Sequence, residues 1–198
     1  MTAIVGLDPS LTSTGIAILA RHDGDDVAHV RTLRSVGHRS TDSKSWVHRS
    51  RRIVTQTRFV VQAIPRDTEL VVIEEMPAHM KMQHSLIDRW VLWFGIVSQL
   101  DAIGIPVAVV NPATREKWAT GKVVRGLDPK DRKARVTTAV RDQWGPHIEQ
   151  RISNHDEADA LTLAGMGALH SGWTLPFDVG TWQHNGLASV TWPERNHR

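Results

Sequence analysis

Apolar positions alternate from Thr2 to Asp8, stop across Pro9 to Gly15 and resume from Ile16 to Ala20, which predicts two strands joined by a tight loop. Asp23-Gly24-Asp25 is a hairpin turn signal, and Val27 to Val36 follows as a third strand. Three antiparallel strands therefore open the chain. Trp46, Ser50, Ile53, Thr57, Val60 and Ile64 then fall at helical spacing, with Pro65 just past their end. Leu70 to Ile73 is continuously apolar, the pattern of a strand covered on both faces. A helix is predicted over Ser85 to Ile103, another buried strand over Val107 to Val110, and a further helix over Pro129 to Trp144. Asn154 opens a last helix, because Asn154 and Glu157 have capping-box spacing and Ala158 to Ala168 is rich in helix formers. From Ser171 the periodicity dissolves. Three antiparallel strands followed by alternating helix and strand predict an α/β fold: a mixed five-stranded sheet with helices on both faces. The expected organisation is one domain over residues 1–170 and an irregular tail over 171–198.

Composition narrows the class. Hydrophobic residues make up 40% of the 198, enough for a packed core, and a chain this long needs no disulfide or structural metal to fold. The absence of cysteine removes disulfide scaffolds, cysteine nucleophiles, zinc–thiolate sites and iron–sulfur clusters. The longest apolar run, Trp90 to Val97, is too short for a membrane span, so a cytoplasmic protein is expected. Net charge is only +3, but the positive charge is clustered. Eight basic residues lie between Arg31 and Arg58 against Asp42 alone, and nine between Arg115 and Arg141 against three acids. Such stretches suit a polyanionic partner, nucleic acid above all, with Arg49, Arg51, Arg52, Arg132 and Arg135 as candidate backbone contacts.

Four acids are candidates for chemistry. Asp8 ends the first strand, whose inward face would be Ile4, Gly6 and Asp8, and Glu74 directly follows Val71-Val72-Ile73. A carboxylate at the end of a buried strand is costly unless something pairs with it, and strand ends of α/β sheets are where sites form. Asp156 and Asp159 share one face of the first turn of the last helix. Singly, each has an ordinary structural use: a turn cap, an arginine partner, dipole compensation. Together they form a set of hard oxygen donors, suited to Mg²⁺ or Mn²⁺ rather than zinc. Glu75 should face away from them, and His155 is read as structural, next to a helix cap.

Three segments, Gly6-Leu7-Asp8-Pro9-Ser10-Leu11-Thr12-Ser13-Thr14-Gly15, Val71-Val72-Ile73-Glu74-Glu75 and Asp156-Glu157-Ala158-Asp159-Ala160-Leu161, resemble in kind, order and spacing the signatures of RuvC-type Holliday junction resolvases. The resemblance covers roughly residues 1–169. It implies the ribonuclease H fold, a homodimer acting on four-way DNA junctions, and two divalent metals (Mg²⁺, with Mn²⁺ able to substitute) held by Asp8, Glu74, Asp156 and Asp159, without a nucleotide cofactor. On that reading Asp8 bridges the two metals, Glu74 holds one, and Asp156 and Asp159 the other. Pro112, Lys117, Gly121 and Lys133-Ala134-Arg135-Val136 are similar to the stretch where the family keeps two lysines near the scissile phosphate, which makes Lys117 and Lys133 catalytic candidates. Two departures stand out: Pro77, flanked by Met76, Met80 and Met82, occupies the family's junction-stacking aromatic position, and Ser10 replaces a glycine. The unmatched tail suits a phage-encoded branch, which would act in a bacterial host's cytoplasm.

The apolar helix over residues 85–103, with a stripe of Leu86, Trp90, Trp93, Val97 and Leu100 widened by Val91, Phe94 and Ile96, is the expected dimer contact; burial under Trp173 and Trp182 of the tail is the alternative. Two other functions were weighed. An actin-like or sugar-kinase ATPase also begins with strand, Asp, Gly, Thr-rich turn and strand, but needs a second phosphate loop and a second domain. A catalytically silent DNA-binding module has no use for four acids that repel phosphate.

Overall fold

The computed structural model describes residues 1–37, 45–76, 84–122 and 126–194. Pro77, Met80 and Met82, on which the reading of strand separation rests, lie outside them. The strands are β1 (Thr2–Asp8), β2 (Thr14–Arg21), β3 (His29–Val36), β4 (Thr68–Glu74) and β5 (Val107–Val110), and they form one sheet in the order β3-β2-β1-β4-β5. β1 pairs antiparallel with β2 and parallel with β4, and β5 extends the parallel half. The helices are α1 (Trp46–Ala63), α2 (His84–Ala102), α3 (Pro112–Thr120), α4 (Pro129–Trp144), α5 (His155–His170) and α6 (Thr181–Leu187). None of them is long and apolar enough to cross a membrane.

The two-residue period of the strands divides the core. Ala3, Val5 and Leu7, with Ile16, Ile18, Val71 and Ile73, pack under α1 and α2. Ile4, Ala17, Leu19 and Val72 face the other way, into a cluster with α3, α4 and α5. A strand buried on both faces cannot alternate apolar with polar, which is why β4 reads as an unbroken apolar run.

Two glycines set the distance between β1–β2 and α5. A Cβ on Gly6 would stand 2.0 Å from the carbonyl oxygen of Ala160, and one on Gly15 would stand 2.0 Å from that of Asp156. Helix α5 thus lies directly on strand backbone, bringing its first turn down beside the end of β1.

Three elements depart from the sequence expectation. β3 starts at His29 rather than Val27, because Val27 and Ala28 pair instead with Thr174 of the C-terminal segment. Helix α3, which the apolar pattern does not predict, buries Arg115 and Glu116 alongside Trp118 and Ala119, so its inner face mixes charged with apolar residues and shows no apolar period. The segment from Ser171, expected to be irregular, contains α6, and its Trp173 and Leu175 are buried in the α5-side cluster. It spans the sheet from the Val27–Thr174 bridge to a bridge between Val109 and Thr191. Trp173 therefore lies on the opposite face of the sheet from α2 and does not cover it.

The glycine contacts carry a prediction. Gly6→Ala should cost about 3 kcal/mol of unfolding free energy, because the obstructing atom is backbone that cannot rotate away. Urea denaturation of the variant measures it, and a loss under ~0.5 kcal/mol would contradict so close a packing of α5.

Candidate active site

Parallel pairing of β1 with β4 aligns Leu7 with Ile73, so the next residues, Asp8 and Glu74, end their strands side by side. Helix α5, pressed against Gly6 and Gly15, delivers Asp159 to the same point. Oxygen atoms of Asp8, Glu74 and Asp159 all lie within 4.8 Å of one another. Asp156 is held at the margin of this trio: Ser13 Oγ donates to its Oδ2, and its Oδ1 lies 3.0 Å from His155 Nε2. Asn154 caps α5 by accepting from the Glu157 amide at 2.9 Å, while the Glu157 carboxylate turns back to the amide of Ser153 at 2.7 Å.

The loop between β1 and β2 is tied down from below. The amide of Gln56, a buried residue of α1, donates to Thr14 Oγ1 at 3.0 Å and to the Val36 carbonyl at 2.8 Å, and Thr14 Oγ1 donates to the Ser10 carbonyl. Trp93 of α2 donates to the Glu74 carbonyl at 2.8 Å, fixing the end of β4.

Sequence reasoning missed the cation at the centre. Arg115 of α3 enters the carboxylate cluster, with its Nε 2.7 Å from Glu74 Oε2 and its Nη1 donating to Asp159. The Nε contact is an ion pair without a well-directed hydrogen bond, which leaves Glu74 Oε2 and Arg115 Nε buried and short of a partner. Local signals for α3 were present: Asn111 caps it by accepting from the Ala113 amide, Pro112 opens it, and Gly121 closes it with φ of 78°. Glu75 is exposed and accepts from Asn111 Nδ2 at 2.8 Å.

The candidate lysines separate. Lys117 lies two residues beyond Arg115, about 200° around the helix, and is exposed on the side away from the acids. Lys133 of α4 is close enough to Asp159 to lower its pKa and lies 2.9 Å from His155 Nε2. Lys133 and His155 also line a cleft of about 530 Å³ together with Lys130, Thr137 and Arg141.

Of the candidate DNA contacts, Arg49 is committed to structure, with Nη2 2.7 Å from Asp88 of α2 and its guanidinium 4.4 Å above the Trp46 ring. Arg132 pairs with buried Glu116, joining α4 to α3, and Arg52 donates to the Leu11 carbonyl at 3.3 Å. Arg51 is exposed and Arg135 half-buried.

Burial dominates the electrostatics. Together with the nearby charges of Glu74 and Asp159 it holds the Asp8 carboxyl well above the usual carboxylate range, against the opposing pull of Arg115. Burial likewise pushes Asp159 up to about 7, again opposed by Arg115 and reinforced by Glu74. Burial disfavours the Arg115 charge, but Glu74, Asp159 and Asp8 outweigh that and hold its pKa up. The donor set is all carboxylate oxygen, it is short of positive charge, and Glu74 offers a buried oxygen without a directed donor. Those properties fit a hard divalent cation.

Comparison with solved structures places the fold. Thermus thermophilus RuvC bound to a Holliday junction superposes with a TM-score of 0.59 over 87% of this chain and 96% of its own, at 17% identity. The fowlpox virus resolvase bound to junction DNA gives 0.58 over 86% and 99%, at 11% identity. The yeast mitochondrial Holliday junction resolvase gives 0.54 over 93% and 82%, at 10% identity. No protein-family model and no curated protein sequence matches the chain. The mixed five-stranded sheet is thus a fold that this chain shares with these three resolvases.

The raised carboxyl pKa values set a pH dependence. The folded protein binds a proton at Asp159 more tightly than the unfolded chain does, so this contribution is complete below the unfolded value of about 4 and is lost as pH rises through about 7, and the raised Asp8 carboxyl acts in the same direction. In EDTA the protein should therefore be less stable at pH 8 than at pH 5, and Asp159→Asn should flatten that difference. Thermal melts of both proteins across this range test it, and an unchanged slope in the variant counts against a proton on Asp159.

Proposed function

We propose that this protein is a divalent-metal-dependent endonuclease that resolves four-way DNA junctions or closely related branched DNA. The observation that carries the reading is the convergence of Asp8, Glu74 and Asp159 at the strand ends of a resolvase fold. Two neighbours of that fold are solved in complex with Holliday junctions, and the resemblance of the three sequence segments is what assigns metal binding to these acids.

Asp8, on the central strand of the sheet, would be shared by two Mg²⁺ ions, with Glu74 serving one and Asp156 and Asp159 the other. Bound there, such ions generate a nucleophilic water and stabilise the leaving oxygen of a phosphodiester. Ser13 orients Asp156, and the His155 ring stands between Asp156 and Lys133. Lys133, at the mouth of the basic cleft, brings positive charge to a phosphate and stabilises charge that builds during cleavage. DNA backbone would follow Lys130, Lys133 and the exposed Arg51, with Arg135 beside them, while Arg49, Arg52 and Arg132 chiefly hold the protein together. An ATPase reading has no support from a second phosphate loop.

Leu86, Trp93, Ile96 and Leu100 of the expected stripe are buried in the chain's own core, and it is the face of α2 turned from the sheet that supports a homodimer. Ile87, Val91 and Phe94 are 37%, 50% and 55% exposed, at helical spacing, and form a continuous stripe. A two-fold partner on that stripe would set two sites against two opposed strands of a junction. The proposed compartment is the cytoplasm, where chromosomal and phage junctions arise in bacteria.

Asp8→Asn should abolish cleavage of labelled four-way junction in Mg²⁺ while leaving junction binding intact or tighter. Cleavage at the wild-type rate in the variant, or in EDTA, would sink the metal-nuclease reading. For the lysines, single-turnover cleavage at saturating protein should fall about 10²-fold in Lys133→Ala, the loss typical of one transition-state donor, and stay within about twofold in Lys117→Ala. Sedimentation at micromolar concentration should give twice the 22.1 kDa chain mass, and Phe94→Glu should return it to monomer.

A further inference from the structure

The carboxylates that would hold the metals already hold a cation. Arg115 is half of two ion pairs inside the cluster, to Glu74 and to Asp159, and only a tenth of its side chain is exposed. Fully ionised, the four carboxylates, Asp156 included, would carry four negative charges, the amount that two divalent ions neutralise. With Arg115 in place, one positive charge is already present and the oxygens of two ligands are engaged. The Nε contact is poorly directed, so the guanidinium sits in the cluster without saturating it.

We propose that Arg115 is a displaceable internal counter-ion: it keeps Glu74 and Asp159 together in the metal-free protein and competes with divalent ions for those same oxygens. The inference rests on the metal-nuclease reading and adds to it a specific antagonist of metal uptake. Without a cation, ionised carboxylates this close would repel one another, and the first turn of α5 would be pushed from the end of β1. A divalent ion carries twice the charge but must first displace the guanidinium, so uptake is weakened while Arg115 stays. A displaced guanidinium needs another anion, and the phosphate entering the site is the one at hand. DNA and metal then favour each other's binding partly through Arg115, a coupling that is reciprocal.

Calorimetric titration with Mn²⁺ at pH 8.5, without DNA, tests the competition. Arg115→Gln should bind Mn²⁺ about tenfold more tightly than wild type, a difference of about 1.4 kcal/mol, and its melting temperature in EDTA should fall. In the presence of junction DNA and Ca²⁺, the gain in ion affinity conferred by DNA should be smaller in the variant than in wild type. Equal or weaker Mn²⁺ binding by Arg115→Gln would overturn the proposal while leaving the nuclease reading in place. No divalent binding to wild type, with or without DNA, would overturn both. Should Arg115→Gln fail to fold, nuclear magnetic resonance of the wild-type arginine Nε–H groups decides instead, with Arg115→Lys identifying the signal. Its resonance should be protected from solvent in EDTA and move on saturation with Mg²⁺; a signal unmoved at saturation overturns the competition.

Discussion

The site depends on bringing like charges together out of water. Three carboxylates with oxygens inside 4.8 Å are unstable in isolation: burial and mutual repulsion both disfavour ionisation, and the raised pKa values of Asp8 and Asp159 are the direct expression of that cost. The fold meets it from two directions. Backbone contact at Gly6 and Gly15 leaves α5 little freedom to retreat, and Arg115 places a positive charge among the acids. Geometry and charge are separable here, since the glycines act through sterics alone and the arginine through electrostatics.

Much of this was legible in the sequence because the informative residues are local. Asp8 and Glu74 mark the ends of apolar strands, and Asp156 and Asp159 sit at helical spacing behind the Asn154 cap, so each could be placed by pattern before any contact was known. Arg115 could not. Its partners lie far away along the chain, and its helix hides charged residues on its inner face, which defeats a search for apolar periodicity. The nearby Lys117 carries the same charge and falls in the stretch similar to the family's, yet a two-residue offset on a helix turns it to the opposite side. The resemblance assigns Lys117 to a phosphate, whereas helix geometry turns Arg115, not Lys117, toward the acids.

The basic stretches teach a related lesson. Counting charge along the chain treats Arg49, Arg51 and Arg52 alike, whereas the fold spends Arg49 on Asp88 and Trp46 and turns Arg51 to solvent. A buried arginine is less a reservoir of positive potential than a strut. Near the acids, the basic side chains left to solvent are Lys130 and Lys133, which line one cleft with His155.

Helix α3 shows how a rigid backbone can present a movable side chain. Its start is held by Glu75 through Asn111, its middle by Arg132 through Glu116, and its end by Trp182 of α6, which donates to the Trp118 carbonyl at 3.3 Å and covers Gly121. Those anchors come from β4's end, from α4 and from the C-terminal segment, so that segment bears on the site although none of its described residues is among the acids or Arg115. With the backbone fixed in three places, displacement of Arg115 need not involve α3 as a whole. The long, unbranched arginine stem can change rotamer while its Cα stays where the acids need it, and the helix that carries the counter-ion can stay in place when an ion or a phosphate draws the guanidinium away.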